Sequence, residues 1–240
     1  MKINFKKINH IQICIPKEEE DRAREFYCEI LGLNEIEKPQ ALKKKKTNLK
    51  MVNSSFIDEL REYLNNTLND LDSWFQKDEH LKKFVPANKG WNIDQILEHI
   101  SLTSHYLLIL IDKEVKKSIN RSKDINWKEI VRNYSFKNSK LEEVGQHLSF
   151  EWIRPKHMEP GENQDLDKIR SKIKQQFELC SNYLDMIPNG EGVLHKTTMS
   201  VNNLGKIDVY QYIYFLGKHA ERHIEQMKKI ENEFHEYSKS

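Results

Sequence analysis

The chain has few of the residues that break helices. Eight glycines and six prolines in 240 residues suit long helices joined by few turns. Cysteine is scarce as well. Cys14, Cys28 and Cys180 are odd in number, far apart and in no CxxC arrangement. That argues against a disulfide framework and for a reducing compartment. No apolar run approaches the ~18 residues of a membrane-spanning helix. The opening "MKINFKKINHIQICIP" lacks the apolar stretch of a signal peptide. The expectation is a soluble cytoplasmic protein that does not engage a membrane. An excess of either charge is also missing. A net charge of +2 gives no electrostatic case for nucleic acid. The one dense basic run, Lys43 to Lys46, has no interleaved aromatics and reads as a solvated linker.

What is present is charge of both signs and helical periodicity. Charged residues make up 32% and apolar residues 38% of the chain, so a core requires amphipathic elements. Two regimes are visible. Residues 1–47 hold a β-α-β pattern and the Lys-rich linker. "HIQICI" is short and β-branched, "EEEDRAREFYCEILG" is an amphipathic helix stopped by Gly32, and "LNEIEKP" suits a second strand. Residues 48–240 read as helix. The spacing predicts four amphipathic helices, at about 53–76, from Asn92 to beyond Ile111, 164–186 and 207–237. Asn92 and Gln95 form a capping-box signature for the second, with Trp91 and Ile96 placed as a hydrophobic staple. The predicted fold class is mainly α. It is a four-helix bundle with a long crossover between helices 2 and 3, plus the small N-terminal β-α-β appendage. "WKEIVRNY" suits a short helix within that crossover.

The stretch "GKHAERHIEQ" places His219 and His223 four residues apart in the last helix. Positions four apart lie about 40° apart on a helical wheel. His223 falls inside the apolar band of Val209, Ile213, Leu216, Ala220 and Met227, and His219 sits at its edge. Two imidazoles on an apolar stripe need partners. Backbone or side-chain hydrogen bonds would meet that need. So would one ion, since the spacing lets two ring nitrogens converge at ligating distance. The helical metalloprotease motif HExxH is absent, because Ala220 follows His219. Glu221 points about 160° away from His223, so proteolysis by that mechanism is not expected. A third ligand must come from another helix. His99, in "WNIDQILEHI", is the best candidate, although it lies about 105° from the centre of its own stripe. His105 points to another face. His10, His80, His147, His157, His195 and His235 lie in the N-terminal segment, in connections or near helix ends, and read as ordinary surface residues.

Here the sequence resembles a known family. "WNIDQILEHI", "FEWIRPKHMEP" and "DVYQYIYFLGKHAERHIEQMKKI" look like the DinB-like family of metal-binding four-helix bundles, over about 51–236. The resemblance implies one ligand histidine in the second helix and an HxxxH pair in the fourth, hence His99, His219 and His223 here. It implies a zinc or nickel cofactor, a small-molecule substrate and a homodimer. Characterised relatives include thiol S-transferases that use low-molecular-weight thiols such as bacillithiol or mycothiol, related isomerases, and metal-dependent hydrolases. Some members were named as damage-inducible. The function so implied is a metal-dependent hydrolase or thiol S-transferase. The alternative is a non-catalytic metal- or ligand-binding bundle in stress response. Tyr212 and Gln226 lie seven residues either side of His219 on nearly the same face, as candidate pocket residues. Residues 1–42 resemble the opening β-α-β of the glyoxalase/bleomycin-resistance (vicinal oxygen chelate) family, with His10 where that family has its first metal ligand. The match stops there, so the segment reads as a remnant of that fold.

Overall fold

The structure, a computed structural model, describes residues 54–123, 126–136, 139–152, 155–162 and 165–238. The chain divides into two units, Met1–Thr47 and Asn48–Ser240, and all described residues belong to the second. The β-α-β reading of the N-terminal segment, with His10, lies outside the described residues.

The described residues are mainly helical, with one small sheet. In chain order they form α1 (Ser54–Phe75), α2 (Glu79–Lys83), α3 (Ile93–Ser122), α4 (Lys128–Arg132), α5 (Ser139–Val144), α6 (Leu166–Met186), the antiparallel strands β1 (Lys196–Met199) and β2 (Gly205–Asp208), and α7 (Val209–Tyr237). Four of these helices are long. Their positions follow the predicted segments, and α4 falls within "WKEIVRNY".

Each long helix forms because it has a face to bury. On α3, Ile93, Ile96, Leu97, Ile100, Leu107 and Ile111 are all buried. Its start is fixed by a capping box: Asn92 accepts from the Gln95 N–H at 2.9 Å, and Gln95 accepts from the Asn92 N–H at 3.1 Å. Ser101, Thr103 and Ser104 are mediocre helix formers, costing up to ~0.7 kcal/mol each. Burying a single Leu or Ile is worth about 1.5–3 kcal/mol, so packing outweighs propensity on this helix. The stripe of α7 (Val209, Ile213, Leu216, Ala220, Met227) is likewise buried, as is that of α6 (Ile169, Ile173, Phe177, Cys180, Leu184).

Both α1 and α3 pack against α6 and against α7. Polar pairs reinforce the seam between α1 and α6. Arg170 grips Asp72 with two nitrogens at 2.6 Å each, and Arg61 reaches Asp185 at 2.7 Å. The bidentate geometry is the stronger kind of pair.

The sheet corrects one boundary. Periodicity starts the last helix near Ile207, whereas the structure places Gly205–Asp208 in β2, paired with β1 in the register Thr197↔Ile207. Each strand has four residues, too short for the alternation that identifies a strand from sequence. Tertiary contacts anchor the hairpin instead. The Tyr212 hydroxyl donates to the Thr198 carbonyl at 3.3 Å, and His195 Nδ1 lies against the buried Glu114 carboxylate. Asp208 ends the hairpin and caps α7, accepting from the Gln211 N–H at 3.1 Å. It is fully buried, and burial pushes its carboxyl up to about 6.

A candidate three-histidine metal centre

His99 on α3 and His219 and His223 on α7 meet in the interior, at 4%, 1% and 8% exposure. One potential ligand atom from each lies within 4.8 Å of the other two. The Nε2 atoms of His219 and His223 are 3.2 Å apart. Nitrogens about 2.0–2.1 Å from a tetrahedral ion sit roughly 3.4 Å from one another, so this pair already has a ligating separation.

Second contacts fix which nitrogen faces inward. His99 Nδ1 donates to the Met158 carbonyl at 2.7 Å. His223 Nδ1 donates to Gln226 Oε1 at 2.9 Å. A neutral imidazole carries one N–H, so in both rings Nε2 is left with its lone pair. Burial holds His219 and His223 well below the usual histidine range, aided by the neighbouring imidazoles. Both rings are therefore neutral near pH 7, the form that binds metal.

Convergent lone pairs in a buried space repel unless a proton or a cation lies between them. His219 can relieve this by donating Nε2–H to His223, but its Nδ1 then becomes a bare buried acceptor. Nδ1 of His219 has no hydrogen-bond partner in the structure, so it stays an orphan in either tautomer, at a cost of about 1–3 kcal/mol. A divalent ion would take all three Nε2 lone pairs. The donor set of three neutral imidazoles suits zinc or nickel.

The reason the helical wheel alone does not select His99 is now visible. Its wheel position lies off the apolar stripe of α3, yet the residue is buried. The flank is covered by Trp91, whose ring centroid is 4.7 Å from that of His99, and by the crossover segment that carries Met158. The neighbouring Glu98 accepts from the Gly161 N–H at 2.9 Å, a second tie between α3 and that segment.

The two further candidates separate. Gln226 touches His223 directly. Tyr212 binds the hairpin at Thr198 and belongs to its anchoring. His105 and His157 are exposed, and His157 packs edge-on against Tyr106 with centroids 4.4 Å apart. His147 meets Lys229 Nζ at 3.1 Å, and His195 meets Glu114.

Three neighbours escaped residue-by-residue reading. Trp152 lies 5.5 Å from His219, ring to ring. The Arg222 guanidinium stacks 5.0 Å from Trp152 and 5.2 Å from Phe150, and it donates to the Gln146 carbonyl. Thr103 Oγ lies 3.5 Å from His99 Nε2. Only the i, i+4 spacing of Thr103 from His99 could have flagged any of them in advance. No family model, curated protein or solved structure matches this chain.

Proposed function

We propose that the protein is a metal-dependent enzyme of the DinB-like kind, acting as a hydrolase or a low-molecular-weight-thiol S-transferase. In this reading α1, α3, α6 and α7 close as a four-helix bundle, with the centre between α3 and α7. The observation that carries it is the buried convergence of His99, His219 and His223, two of them with Nδ1 committed to a hydrogen-bond acceptor.

A divalent ion there, zinc or nickel, would supply Lewis acidity that makes a bound water or thiol a nucleophile near neutral pH. The residues of this chain do the rest. His99, His219 and His223 would hold the ion. Three neutral ligands would leave its full positive charge to act on the substrate. The Met158 carbonyl and Gln226 hold two of the rings in their ligating tautomers. Trp91 and Trp152 shield the imidazoles from water on two sides.

A second reading, a bundle that holds its ion without turnover, draws on the depth of the centre, since all three histidines are buried.

Metal analysis of protein purified without a histidine tag tests the centre. About one equivalent of zinc or nickel, lost in His223→Ala, is the expected result. Absence of metal, with unchanged stability in that variant, would overturn the reading. Thiol conjugation to electrophiles by the metallated protein then separates enzyme from holder.

A further inference from the structure

Thr103 is buried at 6% exposure, one turn after His99 on α3, and its hydroxyl lies 3.5 Å from His99 Nε2. The Nδ1 of that ring donates to Met158, so Nε2 offers Thr103 only a lone pair. The hydroxyl can donate to it while nothing else occupies that lone pair. Once an ion does, the contact is lost. The hydroxyl then stands beside the coordination sphere with a proton to give and little water nearby.

We propose that Thr103 is the hydrogen-bond donor to the small anionic ligand that completes the coordination of the ion. This rests on the metal-centre reading above. The assignment follows from reach. A hydroxyl 3.5 Å from one of these nitrogens can come within hydrogen-bonding reach of an atom bound to an ion held there, because the ion would sit only about 2 Å from the nitrogen. The charge of the surroundings agrees. Arg222, at 7% exposure, stacks on Trp152 and Phe150, and its positive charge acts on both His219 and His223. A buried cation beside a three-imidazole centre adds to the attraction for an incoming anion, although Glu225 offsets part of its charge. The candidate ligands share one feature, a deprotonated oxygen, sulfur or nitrogen. The two arms below separate a thiolate from a small inorganic anion.

The competing role for Thr103 is local. A helical threonine hydroxyl often bonds the carbonyl four residues back, here that of His99. It would then ignore any ligand.

The test uses the full chain loaded with cobalt(II), whose visible absorption reports both metal uptake and added ligands. Azide and 2-mercaptoethanol are titrated in separate experiments against wild type, Thr103→Val and Thr103→Ser. The expected result is at least about fivefold weaker binding of one or both probes in Thr103→Val, the loss of one buried hydrogen bond. Thr103→Ser should stay close to wild type, and cobalt uptake should be equal in all three. Valine matches threonine in shape, and the serine variant controls for packing. Equal probe affinities in wild type and Thr103→Val would overturn the proposal and leave the metal centre standing. Failure of the wild type to take up cobalt would overturn both.

Discussion

Gln226 has a role that its residue type alone would not suggest. Its side-chain oxygen accepts from His223 Nδ1 at 2.9 Å, which leaves the other nitrogen of that ring free to face His219. Partners of this kind set the tautomer and orientation of a ligand, and losing one commonly costs about 10–100-fold in metal affinity. Where the three histidines hold an ion as proposed, Gln226→Ala should weaken its binding by that factor, read by competition against a chromophoric chelator. Stoichiometry at saturating metal should remain as in the wild type. An unchanged affinity would mean that packing alone orients His223. Gln226 was legible from its spacing to His219. The same spacing pointed equally to Tyr212, whose hydroxyl donates to the hairpin at Thr198. Periodicity reports direction around a helix and is blind to what lies opposite.

At the scale of elements, α1 and α7 approach closely at Gly217. A Cβ placed there would lie 2.5 Å from Tyr63 Cε1 and 3.1 Å from the Tyr63 hydroxyl. Helix propensity alone predicts that Gly217→Ala stabilises α7 by about 0.8–1 kcal/mol. Overpacking against a held aromatic ring costs about 1–3 kcal/mol. Tyr63 is not free to swing away, since its ring packs on Tyr214 at 4.8 Å and carries the Lys218 ammonium at 5.4 Å. The clash should win, with a net loss of up to about 2 kcal/mol in urea denaturation. Adding Tyr63→Leu should recover part of it. A stabilised Gly217→Ala would show that the two helices are free to separate. The caps tell a related story. The Asn92–Gln95 box was readable because it is local. The box of Asp208 and Gln211 on α7 has the same geometry but sits behind a hairpin that only tertiary contacts hold.

For the whole molecule, the centre joins α3, α7 and the crossover, so its protonation is felt as stability. His219 and His223 are held below their ordinary value of 6.5 by burial. Such groups contribute stability above about pH 6.5 that is lost as pH falls, because the unfolded chain takes up the protons first. Asp208 has the opposite sign. Its carboxyl is raised from 3.8 to about 6, so its contribution is lost as pH rises through that window. The difference between wild type and His219→Gln/His223→Gln cancels the Asp208 part. In the presence of chelator, the wild type should lose more stability than this variant between pH 7 and pH 5. Denaturant titrations at the two pH values measure it. Parallel losses would place the histidines outside the acid response. Among the described residues, no helix is long and apolar enough to cross a membrane.

The sequence by itself determined the helical class, the four long segments and the inward direction of His219 and His223. Those features follow from the 3.6-residue period of a single element, which is written along the chain. It also singled out His99, chiefly through resemblance, because the wheel of α3 set that residue off its apolar stripe. Only the tertiary structure decided that this flank is buried. The crossover and Trp91 close over it from positions distant in sequence, and the Met158 carbonyl turns the ring inward. The short hairpin and the packing of Arg222 against Trp152 and Phe150 were settled at the same level. Each is a contact between surfaces, and surfaces meet only once the chain has folded.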